Sequence, residues 1–376
     1  MSDRHSRHRV ASTAPSCEAG EESQDSRNSA YRRGPMAAQS IALVELYTGG
    51  QETAVDYLGS ALGFTAVAES TDPESHSVLL RQGRMQVVVT AGPRTEPFLE
   101  AHGDGIADIA LACDDVAASR AAAIAAGATD AGTVCGNPVV SAFGSVCHSL
   151  VPAGADAMFP AGRAWVPVDA AAPPVARIRL LDHVAICLEA GSLEHYADFY
   201  AAAFGVARYS SEFVDIGDNS MDSVVVRNLS GEVTFTLVAP GPATREGQLD
   251  AFLRRNGGPG VQHLAMLVDD IVAAVAEARD RGVVFLQTPS SYYDILAERF
   301  QDAPEEIGRL RATNVLADRD EWGYLLQLFT RSPHPRNTLF YEFIQRRGAR
   351  GFGSANIRAL YEAVERDRLA VQRVYN

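Results

Sequence analysis

The chain has 376 residues, of which 47% are hydrophobic and 21% charged, and its 47 acidic against 33 basic side chains give a formal net charge of -14. That composition suits a globular protein of roughly two or three domains, and the acidic balance excludes bulk attraction to nucleic acid or an anionic membrane. A small anionic substrate would need local positive charge, from a metal or an arginine.

Residues 1–37 are rich in Ser, Arg, Glu and Gly and almost free of large apolar side chains. They read as a disordered tail and not as a signal peptide, which would carry an apolar core segment. A true start at Met36 explains them equally well. Further on, no run reaches about 18 apolar residues without charge, so no membrane span is expected. The five cysteines, Cys17, Cys113, Cys135, Cys147 and Cys187, form no CxxC pair. Zinc–thiolate chemistry is therefore a poor reading, and an odd, unpatterned count fits a reducing, cytoplasmic setting. Cys113 and Cys187 sit in apolar runs and read as small core residues.

Four segments repeat one pattern, a strand followed by a helix and shorter strands. The first opens at IALVELYT (41–48) and includes the weaker strand MQVVVTAGP (85–93). The second opens at GIADIALACDDV (105–116) and runs into an Ala-rich helix. A stretch rich in Pro, Ala and Gly, 156–175, reads as a linker. The third unit opens at LDHVAICL (181–188), and its runs around Asn228–Gly231 predict a hairpin. The fourth, GVQHLAMLVDDI (260–271), matches the second closely, with Asp108 where His263 stands. Strands at WGYLLQLFTR (322–331) and FYEFIQRR (340–347) follow, then a helix over 355–368 with an apolar stripe at helical spacing. The reading is an N-terminal structural domain at 38–155 with two modules and a C-terminal catalytic domain at 176–376.

His183 and His263 occupy matching places in two repeats, 80 positions apart, and Glu342 follows 79 further on. Two imidazoles and a carboxylate are the donor set of a non-haem iron(II) site, which leaves coordination positions open on one face. Each residue also has a plainer reading: a hydrogen-bonded core histidine, or an exposed strand glutamate. Zinc hydrolysis is a rival for the same donors, but the chain has no HExxH signature.

LDHVAIC, GVQHLAM, TPSSYYDILAERF, YLLQLFTR and LFYEFIQRRGARGFG together resemble the 4-hydroxyphenylpyruvate dioxygenase family. The likeness covers roughly 40–370. It implies an α+β vicinal-oxygen-chelate fold of the glyoxalase and bleomycin-resistance type, with four βαβββ modules in two barrel-like halves. It also implies one Fe(II) per subunit on His183, His263 and Glu342, with 4-hydroxyphenylpyruvate and O₂ as reactants. A homodimer or homotetramer is implied, with no nucleic-acid or membrane partner.

The family has two branches. One makes homogentisate by ring hydroxylation, and the other hydroxylates the benzylic carbon to give 4-hydroxymandelate, a precursor type for 4-hydroxyphenylglycine in peptide antibiotics. The departures here favour the second branch. GFGSANI places Ile357 where the dioxygenase pattern has phenylalanine, and FTLVAP places Thr236 and Val238 where that pattern has proline and asparagine. Ser223 retains a family pocket position. Gln262, Gln327, Phe329, Phe340 and Phe352 are further pocket candidates from the same motifs, and Gly348, Gly351 and Gly353 are candidate turn or hinge residues. Homogentisate formation is the alternative reading. A non-enzymatic binding or resistance protein of the same fold is a third.

Overall fold

Each of the four repeated openings forms a strand in the computed structural model, which describes residues 38–154, 158–169, 177–216, 219–242, 246–300, 304–353 and Asn356. The expected tail lies outside these residues. So do Ile357 and, apart from Asn356, the helix expected over 355–368.

The first module is β1 (Ala38–Tyr47), α1 (Gln51–Asp56), β2 (Thr65–Asp72), β3 (Ser75–Gln82) and β4 (Met85–Ala91). After a short α2 (Glu96–His102) come β5 (Gly105–Cys113), α3 (Val116–Ala125), β6 (Asp130–Val134), β7 (Asn137–Phe143) and β8 (Val146–Pro152). The stretch read as a linker contributes a further edge strand, β9 (Val166–Pro167), which pairs with β2. Its Pro and Ala content signalled a break in the modules, but an edge strand needs few ladder bonds and tolerates proline.

The second half repeats the order with β10 (Ile178–Cys187), α4 (Leu193–Phe204), β11 (Ala207–Ile216), β12 (Asn219–Arg227) and β13 (Thr234–Pro240). Next come α5 (Gln248–Asn256), β14 (Gly260–Val268) and α6 (Ile271–Asp280). The last module then departs from the pattern. It inserts α7 (Ser290–Arg299) and α8 (Pro304–Thr313) before β15 (Leu316–Arg319), β16 (Tyr324–Phe329) and β17 (Phe340–Arg347).

Local sequence explains several of these boundaries. The Asp-Asp pairs that close the second and fourth openings cap the helices that follow. Asp115 accepts from the amide of Ala118 at 2.9 Å, and Asp270 from that of Ala273 at 3.1 Å. Gly205 ends α4 in the left-handed conformation, φ 67°, where a side chain would be strained. The expected hairpin forms between β12 and β13. Among the described residues no helix is long and apolar enough to cross a membrane.

The two sheets share one topology. Their orders are β6-β7-β8-β5-β1-β4-β3-β2-β9 and β11-β12-β13-β10-β14-β17-β16-β15. In each, the opening strands of two modules pair antiparallel at the centre, and each module's last strand runs parallel to its first. This is the α+β vicinal-oxygen-chelate arrangement. Alternation along β10 and β14 then divides the side chains. Val184, Ile186, Leu264 and Met266 join a large apolar cluster with Tyr200 and Phe204 of α4 and Val275 of α6. Full burial of each such side chain contributes roughly 1.5–3 kcal/mol. The intervening residues, His183, Ala185, His263 and Ala265, face the other way.

Candidate metal centre

Strand register gathers the three candidate ligands. In the β10–β14 ladder His183 lies beside Ala265 and Ala185 beside His263; in the β14–β17 ladder Ala265 lies beside Glu342. The three side chains therefore project from neighbouring central strands on the face turned away from the main apolar cluster. The Nε2 atoms of His183 and His263 lie 3.4 and 3.2 Å from Glu342 Oε2. One donor atom from each of the three residues lies within 4.8 Å of the others. Their relative exposures are 3%, 7% and 1%, so water does little to satisfy them.

Both histidines follow a bulge. Between Leu181 and His183 the strand gains one unpaired residue, Asp182, and between Val261 and His263 it gains Gln262. A bulge re-aims the side chains around it, and here each extra residue reaches the neighbouring imidazole. Asp182 Oδ1 is 2.9 Å from His183 Nδ1, and Gln262 Oε1 is 3.2 Å from His263 Nδ1. With Nδ1 occupied, Nε2 is the nitrogen free to take a ligand. Asp182 is itself gripped by Arg346, whose Nε and Nη2 donate to its two oxygens at 2.7 and 2.8 Å. Glu342 Oε1 accepts from Gln327 Nε2 at 2.8 Å, leaving Oε2 toward the imidazoles.

The charges respond to this crowding. Burial pulls the His183 imidazolium down, but Asp182 and Glu342 outweigh it and hold its pKa up at about 9. Burial would raise the Glu342 carboxyl, yet hydrogen bonds from both imidazoles hold it down at about 2. Asp182 sits well below the usual carboxylate range because Arg346 and His183 overcome its burial. His263 is pushed below its ordinary value by burial, against the pull of Glu342. A proton on His183 therefore balances the buried carboxylate, and a cation bound at the three donors would replace it. The donor set fits a divalent metal.

Aromatic rings enclose the centre. Phe340 stacks on His263 at 5.0 Å between centroids, and Phe329 meets the same ring edge-on at 5.9 Å. Phe352 lies edge-on to His183 at 5.2 Å. Thr236 pairs with Ala185, so it shares the face of His263. Its hydroxyl oxygen is buried with no hydrogen-bond partner. Val238 pairs with Cys187 and with Ser223 on the same wall and packs with Met221 and Phe252. Ser223 donates to the Glu212 carbonyl at 3.2 Å. Ser223, Thr236, Val238, Gln327, Phe329 and Phe340 thus lie on the side of the sheet that carries the triad, and Phe352 reaches His183 from beyond β17. Gln262 stands behind His263.

Sequence reasoning passed over Asp182, Arg346, Asn356 and Tyr292. Asp182 had a signal, a carboxylate directly before a candidate ligand. Arg346 and Asn356 had none, because their partners are 164 and 29 positions away.

Residues 182–295 match the Glyoxalase/Bleomycin resistance protein/Dioxygenase superfamily. A 4-hydroxyphenylpyruvate dioxygenase of Yarrowia lipolytica is 30% identical over 363 residues, covering 86% of this chain and 91% of its own. A namesake from Neurospora crassa is 33% identical over 298 residues, covering 72% of this chain and 71% of its own. Among solved structures, a triple mutant of 4-hydroxymandelate synthase from Streptomyces coelicolor superposes with a TM-score of 0.81 at 47% identity, covering 89% of this chain and 100% of that one.

Proposed function

Because this chain belongs to the 4-hydroxyphenylpyruvate dioxygenase family, we propose that it is an iron(II)-dependent 4-hydroxymandelate synthase. The overall reaction converts 4-hydroxyphenylpyruvate and O₂ to 4-hydroxymandelate and CO₂. One oxygen atom enters the new carboxylate and the other the benzylic carbon. The observation that carries the family chemistry is the convergence of His183, His263 and Glu342 in a buried, aromatic-lined recess. Two nitrogens and one oxygen leave positions open for a bidentate 2-oxo acid and O₂.

Bound iron(II) would supply O₂ activation and a seat for the oxo-acid group. The protein's part is geometric. Asp182 and Gln262 orient the imidazoles, and Gln327 orients the carboxylate. Arg346 is committed to Asp182, so the anionic substrate draws on the metal's charge. Phe329, Phe340 and Phe352 hold the recess dry and give the substrate ring an apolar bed.

The product is argued from the wall. Ring hydroxylation needs the ring near the oxidant, and benzylic hydroxylation needs the CH₂ there. Val238 offers no amide to draw a phenol or ring substituent toward it, and Thr236 presents an unpartnered hydroxyl beside Ala185. In sequence, Ile357 stands where the dioxygenase pattern has phenylalanine. The higher identity to the mandelate synthase supports the same choice. Homogentisate is the competing product. Incubation with iron(II), ascorbate, O₂ and 4-hydroxyphenylpyruvate, followed by chromatography, separates them. 4-Hydroxymandelate is expected, and homogentisate as the main product would refute the proposal.

A further inference from the structure

Glu342 Oε1, the oxygen turned away from the imidazoles, ends a buried relay. It accepts from Gln327 Nε2 at 2.8 Å, and Gln327 Oε1 accepts from Asn356 Nδ2 at 2.8 Å. The hydroxyl of Tyr292, on α7, lies 2.9 Å from Asn356 Oδ1. Glu342, Gln327 and Asn356 are 1%, 3% and 0% exposed. An amide has one donating and one accepting end, so such a chain has a direction. An ionised carboxylate only accepts. Gln327 must then turn its NH₂ toward Glu342, which leaves its oxygen in need of a donor, and Asn356 provides one. At the far end the single hydroxyl proton of Tyr292 faces two acceptors at 2.9 Å, Asn356 Oδ1 and the Ala317 carbonyl, while the Ala317 amide donates to the hydroxyl. The packing leaves little slack: a Cβ on Gly353, at φ +75°, would fall 2.8 Å from Gln327 Oε1.

The same segment also reaches the other side of the centre. Gly351 O accepts from Arg346 Nη1 at 2.7 Å, and Phe352 stands against both His183 and the Arg346 guanidinium. Two of the three candidate ligands are thus backed by the residues that follow β17.

We infer that Asn356 is a positioning residue for the metal carboxylate. It fixes the Gln327 amide so that Glu342 would offer a metal a single oxygen, and it couples metal loading to the docking of Asn356 itself against Gln327. This rests on the reading of His183, His263 and Glu342 as the metal's ligands. Coupling of this kind is reciprocal: docking tightens metal binding by the same factor that metal tightens docking.

The test uses the full chain and Co(II), titrated to equilibrium and read by its visible absorption, with hydrogen exchange of the backbone around Asn356. Asn356→Ala and Asn356→Asp should each bind Co(II) about 10- to 100-fold more weakly, as loss of a partner behind a ligand typically does. Asn356→Asp keeps the shape but puts an oxygen against Gln327 Oε1, so it should be at least as weak as Asn356→Ala. Co(II) should slow exchange around Asn356 in the wild type and not in the variants. Wild-type affinity in both variants would overturn the inference, as would Asn356→Asp binding normally while Asn356→Ala does not, because shape alone would then suffice. Should these variants fail to fold, Gln327→Met, which keeps the length of the side chain but removes both ends of the amide between Glu342 and Asn356, must weaken Co(II) binding by a similar factor; unchanged affinity would overturn the relay. A wild type that binds no Co(II) would sink the ligand assignment and this inference together.

Discussion

The central ladder of the first sheet repeats that of the second down to its irregularities, with different chemistry at each corresponding place. The β1–β5 ladder shifts register at Ala38/Ser40, Ile41/Leu43 and Glu45/Leu46, and the β10–β14 ladder at Ile178/Leu180, Leu181/His183 and Ala185/Ile186. Leu43 therefore stands where His183 does, and Asp108 where His263 does. The β5–β8 register, which pairs Asp108 with Cys147 and Leu111 with Leu150, brings Ser149 to the place of Glu342. Even the bulge residues differ. Asp182 and Gln262 hold the imidazoles, whereas their counterparts are Ala42 and Ala107. The lesson is that the backbone positions a site and the bulge residues equip it. In the first sheet Asp108 instead accepts from the Ser149 amide at 2.7 Å. Glu45, its ladder partner, is held by Thr90 and Arg163, both at 2.6 Å. A buried histidine there, His148, bonds to the Ile109 carbonyl and to Tyr200, and burial pulls its pKa down to about 4. That is a core histidine, the plainer reading weighed for His183 and His263, and it lacks their convergence on a shared carboxylate.

The comparison breaks most sharply if the second sheet is given the first sheet's residue. Glu342→Ser should abolish stoichiometric iron binding and lower kcat by about 10³-fold or more, in line with loss of a group on which the reacting centre depends; metal analysis and product formation check it. Next in size is Asp182→Asn. It should loosen His183 and weaken metal binding by about 10- to 100-fold, read by metal titration, with His263 and its neutral Gln262 as the internal contrast.

A third test uses pH. In the metal-free protein His183 holds a proton up to about 9, and a metal must expel it. Affinity should therefore rise about tenfold per pH unit on approaching that value and flatten above it. A flat profile between pH 6 and 8 would contradict the charge balance described. Without metal, the raised His183 pKa stabilises the fold below its ordinary value, and that contribution is lost as pH rises through about 9.

The smallest effect belongs to the first sheet. Burial, with Glu45 adding to it, raises the Asp108 carboxyl to about 7. The folded chain then binds a proton that the unfolded chain releases, so stability falls as pH rises from the ordinary carboxylate range through about 7. Asp108→Asn keeps an acceptor for Ser149 and should raise stability at pH 8 by about 1–2 kcal/mol, with little change at pH 4. Thermal melts at the two pH values check this, and iron binding should be unaffected.

Much of this was readable in one dimension. Period-two alternation marks the strands, the Asp-Asp pairs cap α3 and α6, and the match of GIADIALACDDV with GPGVQHLAMLVDDI already sets Asp108 against His263. These signals survive because they are local. The β9 edge strand and the insertion of α7 and α8 were not readable, since no repeat announces them. Phe329, Phe340 and Phe352 look like ordinary core residues until the ladders, and for Phe352 the chain beyond β17, place them against the imidazoles.

The sequence by itself determined the donor types, their repeat positions and the family resemblance, because each depends only on residue identity and spacing. Only the tertiary structure decided which atoms face inward. Register brings three distant strands together, and two bulges turn Asp182 and Gln262 onto the imidazoles. Chain folding after β17 brings Asn356 to Gln327. Those contacts come from packing between segments far apart in sequence, and a hydrogen bond's direction is fixed by what stands at both of its ends.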